Sequence, residues 1–203
     1  DISADTGTSA TDFNTNTAAQ TLTATLSAAI ASDDTLQTSV NNGGAWADDD
    51  HATGDGTALS TAITLTDDTT SAIHIRITDD AGNSGTATTQ AYTHDDTAPT
   101  ITYTGAIDIS ADTGTSDSDF NTKTAAQTLT ATLSAAIASD DILQISVNDG
   151  GAWANDDHAT SDGTSLSTSI TLTDDTTSEF HIRITDDAGN SGTAHEQAYT
   201  HDD

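Results

Sequence analysis

The sequence predicts an all-β protein made of two consecutive sandwich domains, and three observations predict it. A 107-residue period duplicates almost the whole chain. Apolar residues alternate with polar ones in short runs. Those runs are parted by turns rich in Asp, Asn and Gly. The segment DISADTGTS at 1–9 returns at 108–116, and TLTATLSAAIASDD at 21–34 returns at 128–141. Over the 96 paired positions only 14 differ, so Trp46 pairs with Trp153 and Tyr92 with Tyr199. A period this long is a domain and not a solenoid unit. The predicted division is 1–96 for the first repeat, which lacks its first strand, and 97–203 for the second, whose linker and opening strand occupy 97–107.

Each element has its own signal. Leu22, Ala24 and Leu26 share one face of a strand over 21–27. Leu36 and Val40 mark the next, ended by the turn Asn41-Asn42-Gly43-Gly44. Trp46 follows on a short strand or turn. Leu59, Ile63 and Leu65 mark another strand. Ile73, Ile75 and Ile77 alternate with His74, Arg76 and Thr78, the clearest half-buried pattern in the chain. Residues 79–83 turn the chain into a strand over 86–93 that carries Tyr92. Pro99 suits a domain boundary, and Ile101 and Tyr103 supply the opening strand of the second repeat. The Ala-rich run 28–31 allows a turn of helix at most. About seven short strands in roughly 100 residues predict a tandem of immunoglobulin-like Greek-key β-sandwich domains.

Composition excludes several functions. The chain holds 31 Asp but only 2 Glu, 2 Arg and 1 Lys, for a net charge of −30. Three cations make no nucleic-acid footprint. No apolar run approaches the ~18–20 residues that span a bilayer. Without Cys there is no disulfide framework and no thiolate metal site. Low hydropathy with high charge is a signature of disorder. Ordered alternation of Ile, Leu and Val argues against it, and so does charge carried by Asp, a turn former. Having neither an initiator Met nor a signal-peptide pattern, the chain reads as an internal piece of a longer protein.

The acidic residues fall in the predicted loops. In a seven-strand Greek key, the first, third and fifth loops share one end with the C-terminus, and the others share the opposite end. Asp79, Asp80 and Asn83 form one turn, repeated as Asp186, Asp187 and Asn190. Asp33 and Asp34 recur as Asp140 and Asp141. Asp5 and Asp12 recur as Asp112 and Asp119. Asp67 and Asp68 occupy a further loop. Asp95 and Asp96 leave the first repeat, with Asp202 equivalent to Asp95. Two like charges 4 Å apart cost about 4 kcal/mol at a near-surface dielectric. That is large against a total stability of about 5–15 kcal/mol. Calcium, which takes 6–8 oxygens from flexible loops, is the expected cofactor, bound at the domain junction and in the acidic loops. The run from Asp48 to Gly56 fails as an EF-hand, since its twelfth position is Leu59. His51 and His158 read as exposed loop residues.

The ordered motifs ISADTGTSDSDF, QTLTATLS, LQISVNDGGAW, IRITDDAGNSG and AYTHDDTAPTIT resemble the bacterial Ig-like repeats of giant RTX adhesins, particularly their extender regions in marine bacteria, some of which bind ice. The resemblance covers essentially the whole chain. It implies calcium-binding sandwiches in long tandem arrays, exported by type I secretion to the cell surface, where they project a distal ligand-binding region. It places calcium ligands at Asp95, Asp96, Asp186, Asp187, Asn190 and the Asp residues of the ISADTG segment. His94 and His201 depart from the aliphatic residue that many relatives carry there. No glycine-rich nonapeptide of the RTX type is present.

The expected function is therefore an extracellular structural spacer, with neighbouring repeats of the same chain as partners in a monomeric rod. A surface module that binds carbohydrate or protein is the alternative, with Trp46 and Trp153 as its candidate contacts. Trp in so small a sandwich is more often core or loop anchor. The 43 Thr residues lack the short regular repeat of an ice-binding array and read as strand formers. Catalysis is not expected, because carboxylates recur in both repeats with no nucleophile beside them.

Overall fold

The computed structural model describes residues 1–49, 56–66, 69–100, 102–104, 107–156, 163–173 and 176–203, the side chains of Thr69 and Thr176 excepted. Asp67 and Asp68, His51, His158 and Ile101 lie outside them, as does the acidic run from Asp50 onward. The chain divides into two compact units, Asp1–Thr97 and Ala98–Asp203. Among the described residues every regular element is a strand, including none over 28–31.

Unit 1 contains β1 (Asn14–Thr15), β2 (Ala19–Thr25), β3 (Thr35–Ser39), β4 (Ala47–Asp48), β5 (Ala58–Thr64), β6 (Thr69–Thr78) and β7 (Thr88–His94). β2 pairs antiparallel with β5, and Ile2 bridges to Leu22. The second sheet runs β1-β7-β6-β3-β4. All its pairings are antiparallel except β1 with β7, which is parallel. Unit 2 repeats the plan with β8 (Asp108–Ile109), β9 (Asn121–Thr122), β10 (Ala126–Thr132), β11 (Ile142–Ser146), β12 (Ala154–Asn155), β13 (Ser165–Thr171), β14 (Thr176–Thr185) and β15 (His195–His201). Its sheets run β13-β10-β8 and β12-β11-β14-β15-β9.

In each unit the two sheets close on one core, as in a β-sandwich. Leu129 of β10 and Leu166 of β13 meet Leu143 of β11, Phe180 and Ile182 of β14, and Tyr199 of β15. Leu22, Leu59, Leu36, Ile73 and Tyr92 do the same in unit 1. Period-2 alternation dictates this, since alternate residues of a strand point to one face. Each buried Leu or Ile contributes about 1.5–3 kcal/mol relative to exposure. Phe180 and Tyr199 stack at 4.9 Å, and Phe120 meets Phe180 edge-on at 5.9 Å.

Polar groups tie the layers together. The Tyr92 hydroxyl donates to the Val40 carbonyl at 2.6 Å and accepts from the Thr66 N–H at 3.3 Å. Val40 follows β3 and Thr66 follows β5, so one hydroxyl joins the ends of both sheets. Tyr199 does the same with Val147 and Thr173. At the β3–β4 connection, Asn42 and Gly43 take φ of 57° and 76°, and Asp149 and Gly150 take 57° and 74°. Two successive left-handed residues are what Asn-Gly and Asp-Gly pairs permit.

Trp46 and Trp153 occupy neither core. Each is half-buried beside its sheet, with a guanidinium over the ring, Arg76 at 3.8 Å and Arg183 at 4.0 Å. The Arg76 Nε donates to Gln37, whose amide donates to Asp48 at 2.7 Å. Arg183, Gln144 and Asn155 repeat the chain.

The tyrosine staple is testable. The paired substitution Tyr92→Phe and Tyr199→Phe should cost each unit about 1–2 kcal/mol, since two backbone groups lose their partner. Urea denaturation should show a lower midpoint at an unchanged slope. An unchanged midpoint would show that the staple adds nothing.

Candidate functional site

The loop between the first bridge and β2 is the most organised acidic segment. Its centre is Gln20, 4% exposed, on the inward face of β2. Its carbonyl oxygen accepts from the Ala4 N–H at 2.8 Å and the Ser3 hydroxyl at 3.1 Å. Its amide donates to the carbonyls of Ala4 at 2.9 Å and Thr17 at 2.7 Å. Thr15 adds a hydroxyl bond to the Ala4 carbonyl at 2.6 Å. Gln127 reproduces the set with Ser110, Ala111 and Thr124. Every polar atom of the buried amide is used, as burial requires. Sequence reading missed this residue. The available signal was a polar side chain in the inward phase of AQTLTAT.

Within this frame, Asp5 Oδ2 accepts from the Phe13 N–H at 3.1 Å, and Asp112 Oδ2 from the Phe120 N–H at 2.8 Å. Phe13 and Phe120 have φ of 62° and 59°. An aromatic residue in the left-handed region costs about 1–2 kcal/mol, so the surrounding bonds enforce it. The other oxygen, Oδ1 of both Asp5 and Asp112, is buried with no hydrogen-bond donor among the described residues. Leaving a buried acceptor unmet costs about 1–3 kcal/mol, more when it is charged. Asp12 and Asp119 are exposed, and their Oδ1 atoms cap the N–H groups of Asn14 and Asn121, each at 3.1 Å.

The loop lies at the exit of its unit. Phe13 accepts from the Thr93 N–H at 3.0 Å, and Thr15 from the Asp95 N–H at 3.1 Å. Asp95 in turn accepts from the Thr97 N–H at 2.8 Å, while Asp96 is exposed. In unit 2, Thr122 accepts from the Asp202 N–H at 3.1 Å.

The other acidic turns are largely self-satisfied. Asp79 accepts from the Asn83 N–H at 2.7 Å and from its side-chain amide at 2.9 Å; Asp80 is exposed. Asp186 makes the same bonds to Asn190, at 2.7 and 2.9 Å, but is 7% exposed. Asp187 is half-buried. Asp33 and Asp140 are exposed, whereas Asp34 and Asp141 are half-buried, with their N–H groups on Ala31 and Ala138. Among the described residues, no three His, Asp or Glu side chains gather around one metal position. A cation at Asp5 or Asp112 would thus draw its remaining ligands from carbonyl, hydroxyl and amide oxygens, a mixture that calcium accepts.

No protein-family model matches the chain, and no curated protein matches it. Among solved structures the chain is similar to one described as "Structural insight into host cell surface retention of a 1.5-MDa bacterial ice-binding adhesin". The identity is 16%, the match covers 91% of this chain and 57% of that one, and the TM-score is 0.35. The chain spans a little over half the length of that structure.

The Asp79 turn gives a pH prediction. Hydrogen bonds from the Asn83 side chain, then from its backbone, hold the Asp79 carboxyl below its ordinary value of 3.8. A depressed folded value contributes stability that is present above the unfolded pKa and is lost as pH falls through the folded one. Carboxyl NMR titration should find Asp79 below 3.8, and Asn83→Ala should return it toward about 3.9. An Asp79 midpoint that ignores the substitution would refute this.

Proposed function

We propose that this chain is a structural spacer of a bacterial cell-surface adhesin, working outside the cell and projecting a distal ligand-binding region. Its units are immunoglobulin-like Greek-key sandwiches stiffened by calcium. The sheet orders support the immunoglobulin-like assignment: a five-stranded sheet closed by a parallel edge strand faces a smaller antiparallel one. The repeats number as 1–96 and 97–203 in this reading, with neighbouring repeats as partners in a monomeric rod. Neither a catalytic function nor a nucleic-acid or membrane-inserted partner is proposed.

The observation that carries the calcium reading is the buried Oδ1 of Asp5, which meets no hydrogen-bond donor among the described residues, repeated at Asp112. A divalent cation would supply the missing partner and offset the local repulsion of a chain at −30. The αL Phe on the same loop fits a segment held in place by more than its own preferences. Asp12 and Asp119 stand beside the loop. Asp95, Asp96 and Asp202 leave the same end of their units and are the proposed junction ligands. Asp33, Asp34, Asp140, Asp141, Asp79, Asp80, Asn83, Asp186, Asp187 and Asn190 are proposed for the opposite end, and Asp67 and Asp68 for the fifth loop. A carboxylate oxygen that accepts one N–H keeps a lone pair for a cation. The alternative of a sugar or protein receptor on Trp46 and Trp153 is disfavoured, because arginine covers one face of each indole.

Two measurements test the proposal. In thermal melts after chelation, calcium at a hundredfold excess over Kd should stabilise a one-site unit by about 2.7 kcal/mol. That corresponds to roughly 10–20 °C in a domain of this size. Magnesium should do little, and Asp5→Ala with Asp112→Ala should abolish most of the gain. A melt indifferent to chelator and calcium would remove calcium from the account. Separately, Asp95→Ala with Asp96→Ala should leave the melts of both units in place. Small-angle scattering in calcium should then show a shorter, broader distribution of maximum dimension; an unchanged distribution would exclude the junction role.

A further inference from the structure

The hairpins that join β3 to β4 and β11 to β12 differ at one turn position. Unit 1 reads Asn41-Asn42-Gly43-Gly44 and unit 2 reads Asn148-Asp149-Gly150-Gly151, so an amide stands where its repeat has a carboxylate. In unit 2 that carboxylate is a clasp. Asp149 Oδ1 accepts from the Ser178 hydroxyl at 2.9 Å and from the Glu179 N–H at 2.8 Å, tying the turn to β14. Unit 1 offers the same donors, since Ser71 matches Ser178 and the Ala72 N–H matches that of Glu179. The backbone frame is the same too. The Asn42 N–H donates to the Ala72 carbonyl at 3.3 Å, and the Asp149 N–H to the Glu179 carbonyl at 3.2 Å. Yet the Ser71 hydroxyl donates to the Val40 carbonyl at 3.3 Å instead. Among the described residues, the exposed Asn42 side chain accepts from neither donor.

Asn42 is also the one Asn in the sequence that Gly follows. Asn is a thermolabile side chain. Its weakness is attack on the side-chain carbonyl carbon by the next backbone nitrogen, and glycine, with no Cβ, leaves that approach open. In this turn the Gly44 N–H closes on the Asn41 carbonyl at 3.0 Å, while the Gly43 N–H between them donates in none of the backbone bonds among the described residues. The neighbouring Asn residues are held. Asn41 Oδ1 accepts from the Ser39 hydroxyl and the Ala45 N–H, both at 2.8 Å. Asn148 Oδ1 accepts from the Ser146 hydroxyl and the Ala152 N–H, both at 2.9 Å. Each of these two is followed by a residue with a side chain.

We propose that Asn42 is a self-modification site, which deamidates to Asp and so gives unit 1 the clasp that unit 2 carries in its sequence. The Gly43 nitrogen attacks the Asn42 side-chain carbonyl carbon. A C–N bond forms there, the C–N bond to the amide nitrogen breaks, and ammonia leaves with the proton of the Gly43 N–H. Water then opens the five-membered imide, giving its hydroxyl to the side-chain carbonyl and its proton to the Gly43 nitrogen. Nothing is oxidised or reduced, and the net exchange is water for ammonia. The new carboxylate accepts from the Ser71 hydroxyl and the Ala72 N–H, and charge-assisted bonds of this kind exceed neutral ones in strength. Ser71 leaves the Val40 carbonyl, which keeps the Tyr92 hydroxyl at 2.6 Å. Val147 and Tyr199 show that arrangement already, at 2.7 Å. Ring opening on the other side would insert a methylene into the backbone. A two-residue turn with φ of 57° and 76° has no place for it, so the α-linked product is the one the hairpin keeps.

Ageing the full chain in mildly alkaline heavy-oxygen water tests the proposal, read by peptide mapping with electron-transfer fragmentation. Asn42 should lose its amide nitrogen and gain one heavy oxygen, with α-Asp in at least tenfold excess over iso-Asp, while Asn41 and Asn148 stay intact. Amide hydrogen exchange reads the clasp. The Ala72 N–H should exchange at least tenfold more slowly in the aged chain and in Asn42→Asp than in the fresh chain. Asn42→Gly, which keeps the turn but has no amide to lose, should show neither the conversion nor the slowing. Three results would overturn the proposal: an Asn42 still intact when an unfolded peptide of residues 37–48 has fully converted, a product dominated by iso-Asp, or an Ala72 exchange rate unchanged in Asn42→Asp.

Discussion

Shortage of cations governs this structure. With 33 acidic residues and three Lys and Arg, ion pairs cannot neutralise the charge. Among the described residues both arginines engage indole rings and glutamine side chains. Carboxylates therefore find partners among backbone N–H groups a few residues away. Asp12 caps Asn14, Asp79 caps Asn83, Asp95 caps Thr97, and Asp5 reaches across its loop to Phe13. Asp suits this because its short side chain reaches nearby backbone, where Glu must order a longer chain. The charge is thus spread through the turns, and each turn is closed by the charge it carries.

The same logic orders the interior. A thin sandwich cannot hide unpaired backbone at its ends, so polar side chains close them. Gln20 and Gln127 satisfy both sides of Ala4 and Ala111, and Tyr92 and Tyr199 join the ends of the two sheets. The acidic loop is bound on one side to this amide and on the other to the strand leaving its unit. A cation seated at Asp5 would therefore act on the end of β7 through a path of covalent and hydrogen bonds only a few residues long. A soft surface loop would transmit far less.

Much of this was legible in the sequence. The repeat fixed two units, and period-2 runs located β2, β5, β6 and their equivalents, because a strand with one wet face must alternate. The turn at Asn41–Gly44 was legible because few residues accept two left-handed dihedrals in succession. Other features were not. Gln20 lies just before the strand predicted over 21–27, and nothing local distinguishes a satisfied buried amide from an exposed one. Trp46 was read as core or loop anchor, but its neighbour is Arg76, 30 positions away across two strand pairings. Asp5, Asp12, Asp33, Asp34, Asp79 and Asp80 lie outside strands as the sequence suggested, yet sequence did not tell which carboxylate oxygen is buried. That depends on where Phe13 and Thr15 fold back.

Comparison of the two units separates what a repeat encodes from what it completes alone. Ile77 and Ile184 have the same neighbours in sequence, yet one is open and the other covered. Ile184 is covered within unit 2 by part of the stretch that the sequence reads as linker and opening strand of the second repeat. Residues 102–104 belong to unit 2, where Tyr103 bridges to Leu133. Apolar burial is worth about 25 cal/mol per Å². Burial of Ile184, Leu133 and Ile182 therefore favours the docked position of residues 102–104 in unit 2. Gly192 shows the same point sterically, since a Cβ there would stand 2.4 Å from the Pro99 carbonyl oxygen.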